Sequence, residues 1–151
     1  MNDVNHGLST ILRGMKPYAL ATLAGASCLL ATYSLTREGS IPFALMVVAI
    51  IGGASGLIAA ALSGVKNNLR IWLLTLSFVI GVLISEVVTF THYYLTYGHQ
   101  DPKLGVGVAV SVLEFGAIAI VGGLAMLAAA LVTKGRITLR SSGTAQKRAA
   151  P

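Results

Sequence analysis

Four long apolar stretches, separated by short polar segments, dominate the hydrophobic pattern of the 151-residue chain. They cover residues 17–35, 41–62, 71–97 and 104–132. A helix needs about 20 consecutive, mainly apolar residues to cross the hydrocarbon core of a bilayer. The pattern therefore predicts an integral membrane protein whose chain crosses the membrane four times.

The four stretches are typical of helices and not of barrel strands. Inside hydrocarbon every backbone N–H and C=O group needs a partner within the protein, so only helices and closed barrels span a bilayer. A barrel strand would alternate apolar and polar residues over about ten positions, whereas these stretches are unbroken and rich in Ala, Leu and Gly. We therefore predict an all-α, four-helix membrane bundle with short loops. Pro17 suits the first turn of the first span, and Asn67-Asn68 marks the turn between the second and third.

The segments on either side of the bundle have patterns of their own. Residues 1–16 carry one apolar stripe at helical spacing, formed by Val4, Leu8, Ile11, Leu12 and Met15. This spacing predicts either a short amphipathic helix lying in the membrane interface or a frayed terminus. Residues 133–151 combine basic residues with Gly, Ser, Ala and Pro, a composition that predicts a basic, disordered tail.

Lysine and arginine are distributed unevenly about the spans. Arg37 and Lys103 fall in the first and third loops, and the other nine basic residues fall in the N-terminal segment, the second loop and the tail. Cytoplasmic loops carry the excess of positive charge. We therefore predict that both termini lie in the cytoplasm, and the Ala- and Gly-rich spans are consistent with a bacterial inner membrane.

Composition excludes an ordinary soluble domain. Charged residues make up 11% of the chain, against about 25% in soluble proteins. The net charge of +6 resides mainly in the tail, which we expect to rest on anionic lipid or to bind an acidic cytoplasmic partner, and not to bind nucleic acid. Cys28 is the single cysteine, so it cannot form an intrachain disulfide.

Two acidic residues, Glu86 and Glu114, interrupt the third and fourth spans. Because these spans run in opposite directions, a rise of about 1.5 Å per residue puts both carboxyl groups roughly 10–15 Å below the outer surface. Acidic residues inside a membrane commonly mark ion or proton pathways. Desolvation and a second carboxylate both disfavour the charged form, so we expect at least one of the two to be neutral at pH 7.

Other polar residues fall on the same helix faces as the two acidic residues. Thr89 and Tyr93 follow Glu86 at helical spacing, and Ser111 precedes Glu114 by three residues. Together they form a candidate proton, ion or polar packing site. The alternatives are structural hydrogen bonding of a protonated carboxyl group and contact with a partner or cofactor.

Aromatic and histidine residues are concentrated at the end of the third span, at His92, Tyr93, Tyr94, Tyr97 and His99. Tyrosines at this position are typical of the aromatic belt at the lipid headgroups. A metal site would need His92, His99 and Asp101 to converge, and we predict no metal and no cofactor. A docking surface for a partner outside the cell membrane is the remaining alternative.

Small residues recur every four positions along the second span. This predicts a helix-packing groove, because small side chains allow a neighbouring backbone to approach closely. The predicted groove residues in the second and fourth spans are Gly52, Gly56, Ala60, Gly64, Gly116 and Gly123. The groove holds either another helix of the same bundle or a partner subunit. Residues 49–53 and 119–123 share an Ala-Ile-Ile/Val-Gly-Gly sequence, which indicates a duplicated hairpin or a chance match.

No set of nucleophile, base and acid converges on either membrane face, so we predict that the protein is not an enzyme. The small size, the short loops and the small-residue faces favour a non-enzymatic membrane subunit that packs with, stabilises or docks a larger membrane assembly. The alternative is a small oligomeric transporter or channel for protons or cations that uses Glu86 and Glu114. A pore-former or toxin-immunity protein has the same size and topology.

Overall fold

A computed structural model describes residues 2–36, 41–64, 67–97 and 104–148, with the side chains of residues 14–34, 41–64, 67–97 and 108–137. Within this part the chain forms four α-helices: α1 (Asn2–Thr36), α2 (Ile41–Ser63), α3 (Asn68–Tyr97) and α4 (Leu104–Arg148). Each helix contains one of the four predicted spans. The all-helical architecture expected from the apolar pattern is thereby confirmed.

Three helices in the described part are long and apolar enough to cross a membrane. They are Ile41–Ser63, Asn68–Tyr97 and the segment Val108–Ile137 of α4. The hydropathy pattern therefore correctly predicted a membrane protein built from helices. The first predicted span, residues 17–35, lies within α1 and remains a prediction.

Helix α1 differs from the predicted pattern at its beginning. We expected Pro17 in the first turn of the first span, but α1 runs without interruption from Asn2, with Pro17 inside it. The interfacial position of residues 1–16 stays a prediction. Proline removes one backbone hydrogen bond, a loss that helices near a membrane tolerate when neighbouring groups compensate. The side chains of the predicted amphipathic stripe lie outside the described residues, except for Met15, which is exposed.

Helix α4 differs from the predicted pattern at its end. The predicted fourth span stops at residue 132, whereas α4 continues to Arg148. The added segment combines the good helix formers Leu, Lys, Arg, Ala and Gln with Gly, Ser and Thr, which favour helices less. The position where the span leaves the membrane and the state of the basic tail stay predictions.

The helices form a four-membered ring in the order α1, α3, α4, α2. Helix α1 packs on α2 and α3, and α4 packs on α2 and α3, while the two remaining pairs, α1 with α4 and α2 with α3, touch only slightly. The short connections make chain neighbours antiparallel. Helices α2 and α4 are consequently parallel, and Gly52 faces Gly122 while Gly56 faces Met126 one turn later.

A single apolar core runs along the centre of this ring. The largest fully buried side chains come from all four helices and are Phe78, Ile71, Leu74, Ile118, Met126, Val48, Val82 and Cys28. Phe78 lies between the helices, with its backbone against Gly25 and its ring against Gly122. Because the outward faces are also apolar, the bundle has the hydrophobic exterior that a lipid environment requires.

Several hydroxyl groups in the spans are satisfied within their own helices. Thr22 donates to the Tyr18 carbonyl at 3.0 Å, Thr32 to Cys28 at 2.7 Å and Thr75 to Ile71 at 3.1 Å. Among the described side chains no buried polar atom lacks a hydrogen-bond partner. These polar residues therefore enter the apolar bundle without leaving unsatisfied groups in hydrocarbon.

The connection between α2 and α3 is fixed by local polar contacts. Gly64 ends α2 with a φ of 55°, a left-handed conformation that favours glycine. The amide of Leu69 donates to Asn67 Oδ1 at 3.3 Å, which confirms the predicted turn at this position. Arg70 reaches back and donates to the Ser63 carbonyl at 3.0 Å, so the end of α2 receives a cation.

Candidate functional site

Glu86 and Glu114 extend the inward-facing stripes of their helices. Glu86 follows the buried Val82 by four residues, and Glu114 precedes the buried Ile118 by four residues. Residues four apart lie on one helix face. We term the end of the bundle where α3 ends and α4 begins the distal end. Toward this end, carboxyl groups follow the apolar side chains of the core.

The two carboxyl groups and Ser111 lie together between α3 and α4. The Ser111 side chain is within hydrogen-bonding reach of Glu86, and Glu114 is near enough to interact with Glu86 electrostatically. All three side chains are half-buried. A serine hydroxyl donates to a carboxylate, and two facing carboxyl groups can share a proton or hold a cation.

Thr89 and Tyr93 do not join this group in a buried pocket. Both are exposed, although the helical repeat places them on the side of α3 that carries Glu86. The structure thus assembles three of the five predicted polar residues and leaves the other two on the surface of α3.

The helical segments around the carboxyl pair form an open arm. Residues 83–97 of α3 and 108–117 of α4 include no fully buried side chain. Many of these exposed residues are large and apolar, among them Leu83, Val87, Val88 and Leu113. We term the two segments the distal arm. Its carboxyl groups sit among apolar side chains but are only partly covered by the bundle.

Aromatic side chains pair along the end of α3. The ring centroids of Tyr93 and Tyr97 lie 5.6 Å apart in a tilted arrangement, and those of Phe90 and Tyr94 lie 6.4 Å apart in a stacked one. His92 is exposed beside them, whereas His99 lies outside the described residues. A spacing of four residues between aromatic side chains predicts such pairs, and by this criterion Phe90 belongs with the predicted tyrosines.

The described residues contain no group of three or more His, Cys, Asp or Glu side chains that would hold a metal ion. Asp101, the third member of the metal site weighed from sequence, lies outside the described residues together with His99.

The small-residue groove of α2 is occupied by α4. A Cβ atom at Gly52 would lie 2.5 Å from the Gly122 carbonyl oxygen, and one at Gly56 would lie 2.8 Å from that of Met126. Ala60 is also buried. The groove therefore serves the bundle itself, which was one of the two alternatives open from the sequence.

Three other predicted groove residues behave differently. Gly64 forms the end of α2, and a Cβ there would meet nothing within 4 Å. Gly116 also faces open space, because it lies in the distal arm. Gly123 does not make a close backbone contact, since an added Cβ would lie at an ordinary van der Waals distance, 3.7 Å, from Thr75 Cγ2. The predicted groove is thus confined to the middle of α2.

A second close contact, between α1 and α3, was not predicted from the sequence. A Cβ atom at Gly81 would overlap the Thr22 carbonyl, and one at Gly25 would overlap the Phe78 carbonyl. Gly81 is the one glycine in α3. A lone glycine among large apolar residues is the signal that identifies such a backbone contact.

Charge is separated along the bundle. The four basic side chains in the described part, Lys16, Arg70, Lys134 and Arg136, lie at the end opposite the distal arm, which we term the basic end. Lys134 Nζ donates to Asn68 Oδ1 and so joins α4 to the start of α3. The two acidic side chains of the described part, Glu86 and Glu114, both lie in the distal half.

No protein-family model, curated protein or solved structure matches this chain. Its function must therefore be inferred from the bundle and its polar residues.

Proposed function

We propose that this protein is a small, non-enzymatic membrane subunit that docks and stabilises a larger membrane assembly through its distal arm. In this proposal the chain crosses a bacterial inner membrane four times and has both termini in the cytoplasm. Helix α1 supplies the fourth span, since its described part packs along α2 and α3 and exposes Leu23, Leu30 and Tyr33.

The observation that carries the proposal is the incomplete burial of Glu86 and Glu114 within an apolar arm. A charged side chain at the centre of a membrane helix costs about 2.5–3.5 kcal/mol on insertion scales. Coverage by a polar or basic residue of another membrane helix would lower this cost. The basic side chains of the described part, Lys16, Arg70, Lys134 and Arg136, lie at the other end of the bundle and do not cover the two carboxyl groups.

The packing of the bundle supports the same proposal. Gly52 and Gly56 are covered by α4, and Gly25 and Gly81 are covered within the α1–α3 contact. These four glycines therefore pack against other helices of the same bundle. In the distal arm, by contrast, the inward-facing side chains of α3 and α4 are only partly covered by the other helices.

Affinity purification of the full chain from its native membrane, in a mild detergent or in nanodiscs, tests the proposal. We expect a stoichiometric set of other membrane proteins, identified by mass spectrometry, and we expect Glu86→Gln with Glu114→Gln to release them. Ser77→Ala is a matched control, because the Ser77 hydroxyl donates to the Leu73 carbonyl of its own helix. Recovery of a homo-oligomer alone would refute the docking proposal.

A proton- or cation-coupled transporter is the second candidate, and the position of Ser111 and Glu114 near Glu86 favours it. Phe78, Val82 and Ile118 are fully buried beyond the carboxyl pair, so a pathway would run between copies of the chain. Flux measurements on proteoliposomes test this candidate. Transport lost in Glu86→Gln or Glu114→Gln, and retained in Ser77→Ala, would support it.

A further inference from the structure

We infer that the basic end of the bundle carries a headgroup-binding rim for anionic lipid, formed by Lys16, Arg70, Lys134 and Arg136. Lys134 and Arg136 begin the basic segment 133–151, whereas Lys16 and Arg70 belong to α1 and α3, so the rim flanks the buried core on three helices. The inference depends on the bundle being embedded in a membrane and does not depend on the distal arm docking a partner.

The position of the rim follows from the buried residues next to it. Lys16 immediately precedes the buried Pro17, and Arg70 immediately precedes the buried Ile71. Lys134 lies one helical turn beyond the buried Ala130. Basic side chains thus mark the same boundary on α1, α3 and α4, where an apolar bundle would pass from hydrocarbon into the headgroup region.

Local hydrogen bonds hold part of the rim in place. Arg70 donates to the Ser63 carbonyl, and Lys134 donates to the Asn68 side-chain amide oxygen. Lys16 and Arg136 are exposed, so their ammonium and guanidinium groups are accessible to a phosphate.

The acidic side chains of the described part, Glu86 and Glu114, lie toward the end of the bundle opposite the rim. The surface that adjoins a membrane-boundary rim is the lipid headgroup layer, and anionic lipids attract each nearby basic residue. Charge complementarity therefore selects an anionic lipid as the occupant.

Lipid titration of the purified full chain in a neutral detergent tests the inference. We expect phosphatidylglycerol to bind more tightly than phosphatidylcholine, as counted by native mass spectrometry and by the rise in the thermal unfolding midpoint. Each rim charge contributes roughly five-fold in affinity. Lys16→Gln with Arg136→Gln should then weaken phosphatidylglycerol binding about 25-fold.

Two control variants distinguish the charge of the rim from helix packing and from the charge of the tail. Lys16→Arg with Arg136→Lys keeps the charge and should retain the preference, which shows that packing is intact. Neutralising Arg140, Lys147 and Arg148 in the tail should leave most of the preference in place. The inference fails if the two lipids bind equally, if the tail variant alone abolishes the preference, or if soluble glycerol phosphate reproduces the effect.

Discussion

The ring of Phe78 packs against the backbone of Gly122, so that a methyl group added at position 122 would come within 2.5 Å of Phe78 Cζ. Val48 Cγ1 would lie 3.1 Å from the same methyl group. This contact joins α3, α4 and α2 at the middle of the bundle. In lipid, where no hydrophobic drive brings helices together, such close contact supplies much of the association energy.

Gly122→Ala should destabilise the bundle by about 1–3 kcal/mol, because a buried ring must move to admit the added methyl group. Unfolding in mixed micelles, followed by the exposure of Cys28 to a maleimide, measures this change, since Cys28 is fully buried in the folded protein. Gly116→Ala is the matched control, because a Cβ there meets open space. Adding Phe78→Leu to Gly122→Ala should cost less than the two separate losses combined. Additive losses would contradict the proposed contact.

Gly81→Ala should be more destabilising than Gly122→Ala, at about 3 kcal/mol or more. The added Cβ would overlap the Thr22 carbonyl, and backbone atoms cannot rotate away as a side chain can. The thermal unfolding midpoint of the purified protein provides the measurement. Gly53→Ala serves as the control, since nothing lies within 4 Å of its added Cβ. Equal midpoints for the two variants would show that α1 and α3 are further apart.

The four helices were predictable because each contains a long apolar run, and the spacing of Gly52 and Gly56 revealed a packing face on α2. Which helix would occupy that face was not predictable. The helix that packs against this face depends on the order of the helices around the ring. Hydropathy does not predict that order, because the lipid-facing and core-facing sides of the helices are both apolar.

The same limit explains why Phe78 and Gly81 were missed. Helix α3 is apolar on all sides over much of its length, so the pattern cannot separate its inward face from its lipid-facing side. At the candidate site the predicted depths of Glu86 and Glu114 relied on the antiparallel course of two adjacent spans. The exposure of Thr89 and Tyr93 depends on how far the other helices cover the distal arm. The sequence around these two residues does not predict that coverage.

The expectation from the sequence that at least one of the two acidic residues in the spans, Glu86 and Glu114, is uncharged at pH 7 can be tested directly, since a charged side chain inside a membrane helix is costly. Infrared spectra of the protein in lipid should show a protonated carboxyl band at neutral pH. The band should disappear in Glu86→Gln with Glu114→Gln and persist in Ser77→Ala. A spectrum in which both carboxyl groups are ionised at pH 7 would contradict this prediction.

Single cysteines placed along the chain should report a four-span topology with both termini inside the cell. In a Cys28→Ala background, we expect a membrane-impermeant maleimide to label Ser40→Cys in intact cells. Ser9→Cys and Ser142→Cys should react only after the membrane is permeabilised. Opposite accessibility of positions 9 and 40 requires α1 to cross the membrane, because the two positions lie on either side of its apolar stretch. If positions 9 and 40 are labelled alike, α1 lies on one side, and the bundle then crosses the membrane three times.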